Sequence, residues 1–362
     1  MPVLNSLEVY TTNEPDLWDK VLDEIGECDY FHLAAFHKWA EMRGEGEAVM
    51  PVYREGDYVI AFPLLLREIN IPSSEHSDKK MKDATCVNGL VGPVTSSKDV
   101  PESIINHFQQ YMQDFFEQNQ ILTVFSRLNP FIDHSHLLDG YGEIIERGIL
   151  LAIDLTPPPD VQFRNYKKNR REEIRRLKRL GLTCEKVGIE HLDDFIRIYQ
   201  ETMDRVDAEA SYYFDREYFE YLMRDLAANT HIFICKDRDT IISSILATEC
   251  KGIIQMYLGG TINNYVPLSP SKVLYDYIRE WGNEIGGRLI QVGGGHNGSR
   301  DQLYTFKMGF GCKEYVYHTW RHTVNAQDYE ALCSRVWDQA NIEPDNSFFP
   351  MYRHPALQCN KS

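Results

Sequence analysis

The chain has 362 residues, 43% apolar and 25% charged, which suits two ordinary globular domains and excludes disordered, collagen-like and low-complexity architectures. Lys and Arg number 38 against 54 Asp and Glu, a net charge of −16. Phosphate polymers are repelled at long range by such a chain, so it is no general coat for nucleic acid.

The first residues carry neither a basic n-region nor an apolar h-region. The longest apolar run, residues 59–66, spans eight positions and contains Pro63, too short to cross a bilayer. The eight cysteines, at 28, 86, 184, 235, 250, 312, 333 and 359, form no C-x-x-C. Reduced, mostly buried thiols in a cytoplasmic protein are expected, with no transmembrane segment.

In chain order, an aromatic-rich helical segment (31–44) precedes a strand–turn–strand pattern, 52–57 followed by YVIAFPLLLR. CVNGLVGPV (86–94) reads as a strand with a glycine-rich exit. A helix over 101–118 follows, its apolar side formed by Ile104, Ile105, Phe108, Met112, Phe115 and Phe116. ILTVFSRLN then reads as a strand. Residues 151–163, with three consecutive prolines, open a second half. There the same order returns: a helical segment (193–206), a hairpin (234–249), the strand GIIQMYLGG, a helix over 271–284 and the strand RLIQVGGG. The second helix presents Val273, Leu274, Tyr277, Ile278 and Trp281. Six elements in matching order imply a duplicated α/β unit (mixed α+β), each half a central sheet flanked by helices. The expected division is 1–150, 151–325, and a C-terminal helix and polar tail, 326–362, packing back on the first domain.

Residues 164–179 hold nine Lys or Arg against two Glu, a local +7, leaving −23 on the rest of the chain. A helix over 164–180 would line Tyr166, Arg170, Ile174 and Leu177 on one narrow stripe, with Gly181 as its stop. Its cations are either a solvated face favourable to the helix dipole or a docking face for phosphates. The candidates for docking are Lys167, Lys168, Arg171 and Arg175. Matching partners are a tRNA, a nucleotide sugar or a pyrophosphate-linked lipid.

Residues 293–298 match G-x-G-x-x-G, but so late in the chain, and with no strand–helix unit behind them, they are not a dinucleotide fingerprint. The glycines instead let backbone pass close to a substrate or a neighbouring strand. Ser269 and Pro270 suit the cap and first position of a helix whose amides would be open to an anion, or simply capped. The pairs His134/His136 and His318/His322 lack the further ligands of a metal site. No G-x-S-x-G and no cysteine nucleophile signature is present, so a covalent mechanism is not indicated.

An ordered set of short strings then resembles the FemAB/FemX-like aminoacyltransferases, tandem GNAT-like members of a wider acyltransferase superfamily. The strings are Phe36 with Trp39; Arg127-Leu128-Asn129-Pro130; Ile153-Asp154-Leu155; Asn169-Arg170-Arg171 with Ile174-Arg175; Thr202-Met203 with Arg205; Tyr212-Tyr213-Phe214 with Tyr218-Phe219; Leu258-Gly259-Gly260 before Leu268-Ser269-Pro270; Val292-Gly293-Gly294-Gly295; Arg300-Asp301-Gln302-Leu303; and Phe306-Lys307-Met308-Gly309-Phe310-Gly311. They cover roughly residues 30–325.

The resemblance implies two tandem GNAT-like domains and transfer of an aminoacyl group from aminoacyl-tRNA to a primary amine of a cell-envelope or natural-product precursor, phosphate-bearing or lipid-linked. It implies Lys307, with Phe306, at the reacting carbonyl. Asp301 either orients Lys307, accepts a proton or caps the helix that follows. Arg205 and Arg43 correspond to phosphate-contacting cations, and Trp39, Tyr257, Gly294 and Gly295 to the substrate site. No resident cofactor or metal is implied; aminoacyl-tRNA, acyl-CoA or an acyl-carrier protein would serve as co-substrate. The alternatives are an acyl-CoA or carrier-protein N-acyltransferase acting on an amino sugar, and a non-catalytic phosphate-ligand module. Two departures stand out. The helical-hairpin arm of some relatives is absent, and residues 263–271 lack the glycines of an acetyl-CoA pyrophosphate loop.

Overall fold

Two tight turns carry the repeat. Gly56 lies at φ +58° between the paired residues Glu55 and Tyr58, and Arg238 at φ +55° between Asp237 and Thr240. A left-handed first turn residue matches the twist of the strands it joins, so each two-residue loop closes an antiparallel hairpin. In the computed structural model, which describes residues 6–69 and 81–357, the chain divides into two units, 1–146 with 317–362 and 147–316. Both crossings, against the expected 150/151 and 325/326, fall inside long strands, where composition gives no break.

The first unit begins with β1 (Ser6–Thr11), α1 (Pro15–Ile25), α2 (Ala34–Met42) and β2 (Glu47–Glu55). It continues with β3 (Tyr58–Ala61), β4 (Leu64–Glu68), β5 (Lys82–Thr85), β6 (Val94–Thr95), α3 (Glu102–Gln118) and β7 (Ile121–Arg127). The expected strand 58–67 is two strands. Pro63 cannot donate to a ladder, so the chain turns there, and β3 and β4 pair with different parts of β2. The strand expected over 86–94 is also displaced: β5 ends at Thr85, and beyond it Val91 makes only an isolated bridge to Leu128 before β6. The α3 periodicity holds, burying Ile104, Phe108, Met112, Phe115 and Phe116 against the sheet.

The second unit runs from β8 (Glu143–Asp154) through α4 (Pro159–Asn165), α5 (Lys168–Arg179), β9 (Leu182–Val187), α6 (Leu192–Arg205) and α7 (Arg216–Asp225). It continues with β10 (Thr230–Asp237), β11 (Thr240–Cys250), β12 (Ile253–Thr261), α8 (Ser271–Glu284), β13 (Leu289–Gly293) and α9 (Gln302–Met308). Its strands lie in the order β8-β13-β12-β11-β10-β9, with β12 and β13 the parallel pair. The first unit has the corresponding parallel pair in β5 and β7. The single basic helix expected over 164–180 is two: Tyr166 and Lys167 are extended, at ψ 143° and 144°, and separate α4 from α5. Tyr166, Arg170, Ile174 and Leu177 are buried as the stripe requires.

The chain returns to the first unit through β14 (Lys313–Thr323), whose residues 319–323 pair with β7, and α10 (Ala326–Ala340). Leu332, Cys333, Trp337 and Tyr352 pack with Leu122. Asp83, fully buried, receives Arg67 Nε at 2.7 Å, the Tyr352 hydroxyl at 3.2 Å and Arg353 Nε. Removing a buried carboxylate with two guanidinium partners strands both cations. Asp83→Ala is therefore expected to cost about 3–5 kcal/mol in urea unfolding and to expose the tail from residue 351 onward to protease.

Among the described residues no helix is long and apolar enough to cross a membrane, and no three His, Cys, Asp or Glu converge as metal ligands. The seven described cysteines are free thiols, six of them buried; Cys359 lies outside the described residues.

Candidate active site

Lys307 stands on α9, a seven-residue helix, and is 8% exposed. Its ammonium donates to the Gly294 carbonyl at 2.7 Å. Burial pushes its pKa down to about 8, and the Cys312 and Asp301 side chains offset only part of that. The ammonium lies beside the end of β13: Gly293 is at φ +73°, and a Cβ there would meet nothing but Lys307 Nζ, at 3.1 Å. A positive charge held beside open backbone at a strand end is the arrangement that stabilises a developing oxyanion.

Asp301 resolves toward the cap. Its Oδ1 accepts from Tyr304 N–H at 2.9 Å and its Oδ2 from His296 N–H at 2.8 Å. Those amides hold its pKa below the usual carboxylate value, which makes it a poor proton acceptor, and neither bond involves Lys307. Gly294 and Gly295 are glycines because the chain passes itself closely. A Cβ on Gly294 would lie 2.3 Å from Ile149 O on β8, and one on Gly295 2.1 Å from Ser299 O. Of the two alternatives for these glycines, the neighbouring strand accounts for Gly294. Phe306 packs edge-on to Tyr275 and Phe310, at 5.8 and 5.6 Å between ring centroids.

The pairing of β12 with β13 stops at Gln255 and Gln291, after which the two strands run on without a shared ladder. Tyr257 is the extra residue of a bulge, since Leu246 pairs with Leu258 and Ala247 with Met256. A bulge re-aims its side chain, and the Tyr257 hydroxyl lies 2.7 Å from that of Tyr218 on α7. Tyr218 in turn stacks on Phe214 at 4.5 Å. Arg205, the last residue of α6, uses its fork on the protein: Nη1 donates to Thr261 O at 2.9 Å and Asn263 Oδ1 at 2.6 Å, and Nη2 to Thr202 Oγ1 at 3.3 Å. Those bonds leave Nε–H and one Nη2–H of the exposed guanidinium for a phosphate. Trp39 and Arg43 belong to the first unit, where Trp39 is buried and the Arg43 guanidinium lies 5.8 Å from its ring centre.

The cations around α5 divide into two sets. Arg171 donates to the Arg164 and Tyr166 carbonyls, Arg175 lies over Phe163, Lys178 pairs with Asp276, and Lys168 lies 4.0 Å from Glu172. Two of the four expected docking residues, Arg171 and Arg175, are thus engaged with the protein itself, whereas Lys168 stays 83% exposed with only that long contact. Lys167, Arg176 and Arg179 are exposed and pair with no described residue. Single-sequence reasoning missed Arg176 and Arg179 because cap and stacking partners are invisible without the neighbouring elements.

The start of α8 is partly closed on its own backbone. Ser269 sits at φ +54° as the end of the preceding turn, Pro270 occupies the cap position one residue later than expected, and no side chain caps the helix. Lys272 N–H donates to Ser269 O at 3.2 Å and Val273 N–H to Pro270 O at 3.0 Å. These amides are already engaged, which disfavours a pyrophosphate there.

Residues 164–308 match the acetyltransferase (GNAT) domain family. No curated protein matches the chain. The crystal structure of FemX superposes with a TM-score of 0.69 at 13% identity, covering 90% of this chain and 99% of that one. The structure of L-PGS from Bacillus licheniformis gives 0.53 at 15% identity, covering 89% and 96%. A conserved protein of unknown function from Bacteroides thetaiotaomicron gives 0.53 at 10%, covering 88% and 100%. These likenesses show the fold, residues 164–308 resemble a GNAT domain, and the chain is an acyltransferase with the FemX-like fold.

Proposed function

We propose that the protein transfers an aminoacyl group from aminoacyl-tRNA to a primary amine of a phosphate-bearing cell-envelope or natural-product precursor. The observation that carries this reading is the buried Lys307 ammonium beside the end of β13, where it would meet the oxygen of a reacting ester. The acceptor nitrogen forms a bond to the ester carbonyl carbon, and Lys307 stabilises the oxyanion while keeping its own proton. Collapse breaks the carbon–oxygen bond to the tRNA ribose, and the proton lost by the amine passes to the leaving oxygen, directly or through water. The product is an amide, and no covalent enzyme intermediate forms.

The engaged Lys272 and Val273 amides and the absence of glycine over 263–271 support a donor other than acetyl-CoA. The free cations Lys167, Arg176 and Arg179 support a polyphosphate partner on an otherwise acidic chain. Substituting all three by Glu is expected to weaken tRNA binding and to flatten the log–log salt dependence by roughly 0.7–0.9 for each phosphate that the protein no longer neutralises. Filter binding across a salt series measures this, and an unchanged slope removes α5 from the docking surface.

The donor is tested with radiolabelled bulk aminoacyl-tRNA and radiolabelled acyl-CoA, each offered with a small-molecule cell extract as acceptor pool. Transfer from charged tRNA that ribonuclease abolishes supports the proposal. Transfer from acyl-CoA alone overturns it.

A further inference from the structure

Arg170 is the one cation of the basic segment that the fold takes inside, at 7% exposure. Its Cζ lies 4.4 Å from the ring centres of both Phe306 and Phe310, so the guanidinium sits in the corner that these two steeply inclined rings form. Its Nη2 donates to the Phe306 carbonyl at 2.9 Å. The Nε and Nη1 groups, though buried, make no hydrogen bond, and a Glu173 oxygen stands 4.0 Å from Nη1. A buried charge so incompletely paired is a poor device for stability. The surroundings are nonetheless shaped to admit it. A Cβ on Gly309 would lie 2.8 Å from Nη2 and 2.9 Å from Nε. The backbone repeats the link one residue beyond the helix, where Lys167 N–H donates to the Gly309 carbonyl at 3.0 Å. The start of α5 is therefore strapped across the end of α9.

We propose that Arg170 is a positioning residue for Lys307: by gripping Phe306 and Phe310 on either side of Lys307 and bonding the carbonyl just before it, the guanidinium fixes the last turn of α9 and with it the place of the Lys307 ammonium beside Gly294. The chemistry favours arginine over lysine here. A flat cation can pack closely in the corner of two inclined rings and still direct an N–H in its own plane at a carbonyl. A cation at a helix C-terminus also complements the unpaired carbonyls and the dipole there. The proposal rests on the reading of Lys307 as the group that polarises the carbonyl.

The test compares Arg170→Met, Arg170→Lys, Gly309→Ala and Lys307→Ala in steady-state transfer from the donor identified above, across pH. Arg170→Met is expected to lower kcat by about 10- to 100-fold with the donor KM little changed, the scale of a misplaced catalytic group. Because a loosened Lys307 regains water, the alkaline limb of kcat should move up toward the ordinary lysine value. Gly309→Ala pushes a methyl into the guanidinium and should reproduce both effects with Arg170 still present. Arg170→Lys should fall between wild type and Arg170→Met. Should Arg170→Met fail to fold, Gly309→Ala and Arg170→Lys decide the matter. A fall in kcat with the alkaline limb unmoved overturns positioning in favour of a merely structural role. Unchanged kcat and limb in the Arg170 and Gly309 variants, with Lys307→Ala inactive, overturns the Arg170 proposal alone. Full activity in Lys307→Ala overturns the underlying reading and this proposal with it.

Discussion

Lys307→Ala is expected to lower kcat by about 10²–10³-fold while KM for the donor changes little, because in the proposed transfer the ammonium acts on charge that appears only in the transition state. The same lysine sets the pH range. Its role needs the protonated form, and burial has brought its pKa down to about 8, so kcat should fall as pH rises through that value. Stability carries the opposite signature. The ordinary lysine value is 10.5 and the folded value about 8, so between them the unfolded chain binds the extra proton and stability rises with pH. Below 8 the full penalty is present, on the order of 3 kcal/mol. Lys307→Met, which keeps the volume and drops the charge, should therefore melt higher at pH 7 while losing turnover. Thermal melts and initial rates on one preparation check both. A variant that is less stable and equally active would refute the oxyanion role and the buried-charge argument together.

Acid should unfold the first unit well before carboxylate protonation alone would. His32, His37 and His134 are buried there, and burial pushes their pKa values to about 4, 3 and 4. Their polar contacts suit neutral rings. His37 Nδ1 faces the Leu33 carbonyl at 3.2 Å while its Nε2 finds no partner. His134 Nδ1 accepts from Thr95 N–H at 3.3 Å, which fixes the proton on Nε2, and Glu27 at 3.5 Å offers only partial support for a charge. The unfolded imidazoles, near 6.5, take up protons first, so stability falls as pH drops from 6.5 toward 4. At pH 5 each ring contributes a loss of roughly 2 kcal/mol, and the three together approach the whole stability of a typical domain. Urea titrations at pH 7 and pH 5 measure the difference, and hydrogen exchange locates it around α1, α2 and β6. A His37→Leu variant should show a shallower pH dependence. Equal stability at the two pH values would show that these rings are solvated in the folded protein.

The elements that were legible from the sequence are those whose signal is local. The periodicity of α3 and α8 records one buried face each, and the turns at Gly56 and Arg238 record a two-residue hairpin. The stripe Tyr166, Arg170, Ile174, Leu177 even placed an arginine on the buried side. What the sequence left hidden depends on partners distant along the chain. Tyr257 becomes a bulge residue only through its register with β11. Arg175 and Arg171 leave the docking face because Phe163 and two carbonyls claim them. That Asp301 caps α9 through Tyr304 N–H and also accepts from His296 N–H depends on the path of the glycine-rich loop before it. The segment 86–94 reads as a strand from its valines, yet Val91 makes only an isolated bridge and Val94 alone enters a strand, pairing with Ala61.

The division of the chain bears on the order in which it is made. The second unit occupies 147–316, so all of its strands have been synthesised before β14 and α10 leave the ribosome. The first unit at that moment lacks Trp320, which is fully buried in its core, and the strand that covers the β7 edge. Translation therefore finishes the later-encoded unit first, and the unit that begins the chain waits, with an unpaired edge and an open core, for its last forty-odd residues.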